Sequence, residues 1–85
     1  MTRITYQWLF AYLEQLGFVD TSPSDFERVF EHQERDILLA FSLLDDRSVD
    51  RPVRAADFVS VEFRLQQEGL LSGTLNDAEL RQSKS

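Results

Sequence analysis

His32 is the one histidine in the chain, with Glu31, Glu34 and Asp36 beside it in sequence. An imidazole among carboxylates can hold a metal ion or move a proton. The spacing argues against both roles. Adjacent strand residues point to opposite faces, and no set here has ligand spacing. The plainer expectation is a surface histidine at a strand end. Asp45, Asp46 and Asp50 begin like a calcium loop. Such a loop needs oxygen ligands at alternate positions, a glycine at the sixth and a glutamate at the twelfth. Arg47 and Val49 fall on ligand positions, Asp50 replaces the glycine, and Ala56 ends the loop. Glu27 and Glu31 share a strand face but stand about 13 Å apart, too far to share a proton or flank one bond. Thr21, Ser22 and Ser24 have no histidine at hand and no nucleophile elbow around them. No catalytic residue, metal site or cofactor is expected.

Arg28, Arg47, Arg51 and Arg54 are the remaining candidates, as contacts to a partner or a phosphate. A guanidinium fork matches phosphate and carboxylate geometry. Three of the four lie between Asp45 and Arg54, where Asp45, Asp46 and Asp50 balance Arg47, Arg51 and Arg54 to zero net charge. A loop closed by its own ion pairs is the competing expectation.

The elements that must position these residues follow from spacing. Trp8, Tyr12 and Leu16, with Leu9 and Leu13 beside them, predict a helix over 5–16. Gly17 and Phe18 suit its end. The segment 20–25 is dense in turn formers and reads as a loop. Phe26 to His32 reads as a strand with Phe26, Arg28, Phe30 and His32 on one face. A tight connection over 33–36 leads to the apolar run Ile37 to Leu44, expected as a central, well-buried strand. Pro52 to Arg54 could add a short third strand at a sheet edge. A second helix is expected over 56–68, stopped at Gly69. One or two helical turns should end near Leu80, with residues 81–85 as a disordered tail. The order α-β-β-(β)-α implies an α+β two-layer sandwich. Two helices would cover one face of a small antiparallel sheet. Residues 1–80 would form one domain.

Composition agrees with a small folded domain. The chain has 85 residues, 42% hydrophobic and 12% aromatic, too apolar for a disordered chain. It has no cysteine, which excludes disulfides and thiolate metal sites. Its net charge is −6, which disfavours nucleic acid at long range. No apolar run is long enough to span a bilayer, and no signal peptide is apparent. The expected location is the cytoplasm, with no membrane partner.

The run Leu13-Glu14-Gln15-Leu16-Gly17-Phe18-Val19 resembles the end of the first helix of HicA-type toxins. Those are small bacterial mRNA interferases. Arg28-Val29-Phe30-Glu31-His32 resembles their first strand, and the close near Gly69-Leu70-Leu71 falls in the family's order. The resemblance implies a double-stranded-RNA-binding-domain-like α-β-β-β-α fold and an antitoxin partner. It also implies RNA contact, for which Arg28, Arg47, Arg51 and Arg54 would meet the backbone. The family's Gly-Ser-His signature is missing: the matching stretch is Asp25-Phe26-Glu27. Cleavage is therefore not implied.

The residues favour a non-catalytic module that binds another protein or a second copy of itself. Leu43, Leu44 or Val49 would supply an exposed apolar patch. HicA-like RNA binding is the alternative.

Overall fold

A computed structural model describes residues 4–83. Helix α1 (Tyr6–Gln15) leads into β1 (Phe18–Asp20), β2 (Glu27–His32) and β3 (Ile37–Ser42), followed by α2 (Ala55–Gln67) and α3 (Leu75–Ser83). The three strands form one antiparallel sheet in the order β1-β2-β3. The architecture is α+β, with the helices on one side of the sheet.

The start of α1 and the end of α2 are each closed by residues suited to the task. At the start of α1 the first backbone N–H groups need partners from outside the helix. Thr5 is the N-cap, and its hydroxyl accepts from the Trp8 N–H at 3.1 Å. The Tyr6 and Gln7 N–H groups donate to the carbonyls of Arg51 and Val49 at 3.2 and 2.7 Å. Those carbonyls lie more than forty residues later in the chain. At the end of α2, Gly69 takes φ +76° and the Leu70 N–H donates back to the Leu65 carbonyl at 2.9 Å. This is the cap that a helix followed by Gly-Leu predicts.

One face of the sheet is core. Phe18, His32 and Ile37 lie in one cross-strand row, Phe30 pairs with Leu39 in the next, and Arg28 pairs with Phe41. Phe30 is wholly buried and sits 4.8 Å from the Phe10 ring, centroid to centroid. Phe10 and Phe41 meet at 5.2 Å, and Tyr6 meets Phe10 at 5.8 Å. Leu9 and Leu13 of α1, Val61 and Leu65 of α2, and Leu75 and Ala78 of α3 complete the same core.

Four expectations change. The third strand is β1, which precedes the hairpin. Pro52 makes only an isolated bridge to Thr5, and the Val53 N–H donates to the Ile4 carbonyl at 2.9 Å. That segment pairs with the start of the chain, and only the Arg54 side chain reaches the end of β3, at the Ser42 carbonyl. β3 is an edge strand, not the central one, and its burial alternates: Ile37, Leu39 and Phe41 point in, Leu38 and Ala40 point out. α3 continues through Ser83, so 81–83 is helical, and the rest of the expected tail lies outside the described residues. Finally, helical spacing over 56–68 sets Val59 and Phe63 beside the row of Phe58, Val61 and Leu65, yet both are exposed.

Candidate functional site

The four candidate arginines occupy three places. Arg28 stands at the rim of the core, its guanidinium 4.8 Å from the Phe10 ring centroid. It pairs with Asp20 at 2.8 Å and donates to the Ser22 hydroxyl at 3.2 Å. Ser22 is the hub of this corner. Its hydroxyl donates to Asp20 and accepts from the Val29 N–H at 2.8 Å. Arg47 lies over the exposed Phe26 ring at 5.2 Å and is the least constrained of the four. Arg51 and Arg54 close the 45–54 loop. Arg51 donates to the carbonyls of Ser48 and Asp46 at 3.1 and 2.7 Å, and its guanidinium sits 5.0 Å over the Tyr6 ring. Arg54 pairs with Asp45 at 3.2 Å and with Asp57 at 3.5 Å, and donates to the Ser42 carbonyl.

Tyr6 ties that loop to the helical layer. Its hydroxyl donates to Asp57 at 2.6 Å and accepts from the Arg54 backbone N–H and Nε at 3.2 and 3.1 Å. Burial and the Asp57 carboxylate both push its ionisation upward. The arginine forks are thus spent largely on the chain's own carbonyls and carboxylates.

Asp20 gives a test of the Arg28 corner. Burial works against its charge, but the Ser22 hydroxyl and N–H and the Arg28 guanidinium outweigh that and hold its carboxyl below the ordinary 3.8. A group with a lowered folded pKa stabilises above its unfolded value and stops doing so as pH falls through the folded one. Asp20→Asn is therefore expected to cost stability at neutral pH and to match the parent in strong acid. Urea unfolding at the two pH values checks this. An equal deficit at both would show that the carboxylate's charge contributes nothing.

His32 is buried, against the expectation of a surface position. The Glu34 N–H donates to its Nδ1 at 3.2 Å, so the ring proton sits on Nε2. Nε2 donates to the Leu16 carbonyl at 2.9 Å, satisfying one of the unpaired carbonyls at the end of α1. The ring packs edge-on against Phe18 at 5.0 Å. Both nitrogens serve the backbone. No cluster of three or more metal-capable side chains occurs among the described residues, and no described helix is long and apolar enough to cross a membrane.

The other face of the sheet has no cover among the described residues. Val19, Glu31 and Leu38 form one cross-strand row on it, Val29 and Ala40 the next, and Glu27 and Ser42 the last. Leu38 is 56% exposed and Leu44, just past β3, 71%. Glu27, Val29, Ala40, Ser42 and Leu44 line a shallow hollow of about 270 Å³. Of the three residues expected in a patch, Leu44 belongs to this surface. Leu43 is fully buried, and Val49 packs on the core.

The edge beside this face is open too. The Leu43 N–H donates to the Phe26 carbonyl at 2.7 Å. Bonded and non-bonded pairs alternate in an antiparallel ladder, so Arg28–Phe41 and Phe30–Leu39 are the bonded pairs. Leu38, Ala40 and Ser42 turn their N–H and carbonyl groups away from β2. Only the Ser42 carbonyl has a described partner, Arg54.

Sequence reasoning reached this surface only at Leu44, although a wider signal was present. The near-continuous apolar run at 37–44, broken only by Ser42, cannot all point inward from an edge strand. No protein-family model, curated protein or solved structure matches this chain.

Proposed function

We propose that this chain is a cytoplasmic, non-catalytic protein-interaction module whose contact surface is the uncovered side of its sheet. The observation that carries this is the row of apolar side chains there: Val19, Val29, Leu38, Ala40 and Leu44, with Leu38 and Leu44 more than half exposed. In a small two-layer fold such a face is where a further layer or strand can add. The engagement of both His32 nitrogens by backbone groups supports a role other than catalysis. The pairing of Arg28, Arg51 and Arg54 within the chain favours a polypeptide partner over RNA, because a phosphate would have to displace those carboxylates and carbonyls.

Affinity capture tests the proposal. The tagged chain is incubated with native lysate at low salt, with and without RNase. A protein retained in both samples and lost with Leu44→Lys is the expected result. Leu44 is so exposed that this change should leave stability within about 0.5 kcal/mol of the parent. If RNase releases everything, the HicA-like RNA reading replaces this one. Equal retention by Leu44→Lys would remove the sheet face from the argument.

A further inference from the structure

We propose that the occupant of the β3 edge is a second copy of this chain, paired antiparallel about Leu39 to make one continuous six-stranded sheet. The inference goes beyond the reading above: it concerns the edge of the sheet and leaves the outer face open.

Three observations converge on it. First, apart from Arg54 on the Ser42 carbonyl at its end, β3 carries none of the devices that keep edge strands apart. Its sequence Ile-Leu-Leu-Ala-Phe-Ser has no charge and no proline, and the pairing with β2 runs from Glu27–Ser42 to His32–Ile37 without a bulge. Secondly, the free groups suit self-pairing in one register. Leu38 and Ala40 present N–H and carbonyl groups outward, as the ladder alternation requires. Setting Leu38 opposite Ala40 of the second copy lets each exchange both hydrogen bonds, and the two-fold axis repeats the pair. It also sets a large side chain beside a small one on the outer face. Sliding the register by one step to centre on Ala40 would need the Ser42 carbonyl, which Arg54 already occupies. Thirdly, charge selects the edge over the face. Two outer faces packed together would bury Glu27 and Glu31 of both copies without a cation between them. Edge pairing leaves those carboxylates in water.

The helical layer favours a second copy over an isolated peptide strand. Arg54 at the start of α2 reaches the end of β3, and Arg35 in the β2–β3 turn donates to the Glu68 carbonyl at the end of α2, at 2.6 Å. α2 therefore lies along β3 and runs the opposite way. Joining two β3 strands brings two α2 helices side by side. Val59 and Phe63, one turn apart on α2 and 64% and 62% exposed, are apolar surface that a neighbouring helix can cover.

Sedimentation velocity on the full chain, over a wide concentration range, tests the proposal. The expected result is a monomer–dimer equilibrium approaching twice 9.9 kDa. It should tighten with added salt, because each copy carries −6. Ala40→Pro removes an outward donor and spares the β2 ladder, so it should weaken pairing about tenfold or more. Should that variant fold poorly, amide exchange on the parent decides instead. The Leu38 and Ala40 amides should become protected as concentration rises. A monomer at every concentration, full dimerisation by a folded Ala40→Pro, or free exchange of those two amides in the dimer would each overturn the proposal. None of these outcomes bears on the Leu44→Lys capture, so the two ideas fail separately.

Discussion

Phe30→Ala is expected to lower the unfolding free energy by about 3–5 kcal/mol. The side chain is wholly buried and is boxed by Phe10 at 4.8 Å and Phe41 at 6.2 Å. Those rings belong to α1 and β3, so they cannot close the space without moving a helix or the edge strand. The Arg28 guanidinium, 5.9 Å from the Phe30 ring, would lose part of its packing as well. A domain of this size has about 5–10 kcal/mol in total. Phe30→Ala would therefore remove about a third or more of the total. Phe26→Ala is the control. Phe26 is 40% exposed and lies under the Arg47 guanidinium, so its loss should cost about 1 kcal/mol or less. Urea denaturation of the two variants separates the cases. Similar losses would mean that the aromatic cluster is not the centre of the fold.

The second large effect is expected at Gly17. Its φ of +104° is a conformation that residues with a Cβ rarely adopt. A Cβ there would also stand 2.9 Å from His32 Nε2, the atom that holds the Leu16 carbonyl. Gly17→Ala should therefore cost about 1–3 kcal/mol from the backbone alone. Displacing the imidazole adds to that. A double-mutant cycle resolves the two parts. In the His32→Ala background the steric part disappears and the backbone part stays, so Gly17→Ala should cost less there. Strict additivity would show that the imidazole moves aside freely and that strain alone limits the position.

Local rules explain which parts of the fold could be read from the chain. Helices α1 and α2 carry apolar residues at helical spacing and end at Gly-Phe and Gly-Leu, so their existence and stops were legible. The side on which Phe30 and Arg28 lie was legible from alternation. β1 was not. Its three residues are too few to alternate, and Phe18 fits equally well as the apolar residue after a helix cap. Burial of His32 was hidden for a different reason. Its partners are backbone groups at Leu16 and Glu34, and backbone groups leave no mark in sequence. The neutral charge of 45–54 foreshadowed the pairing of Arg51 and Arg54 with Asp45 and Asp46. The contribution of Tyr6 and Asp57, from two separate helices, did not show. The candidate surface was obscured because an outward-facing Leu38 and an inward-facing Leu39 are the same letter.

Helix α1 is synthesised first and completed late. Its opening turn depends on the carbonyls of Val49 and Arg51, and the strand-like link from Ile4 to Val53 holds that loop in place. While the ribosome is still making the hairpin, the helix can exist only with a frayed start. A polypeptide cut after β3 would keep the sheet residues and lose the groups that terminate the first helix. The chain therefore has little scope to fold piece by piece as it emerges. The first turn of α1 gains those two partners only when the segment around residue 50 arrives, and any delay there extends the time for which β3 stands uncovered.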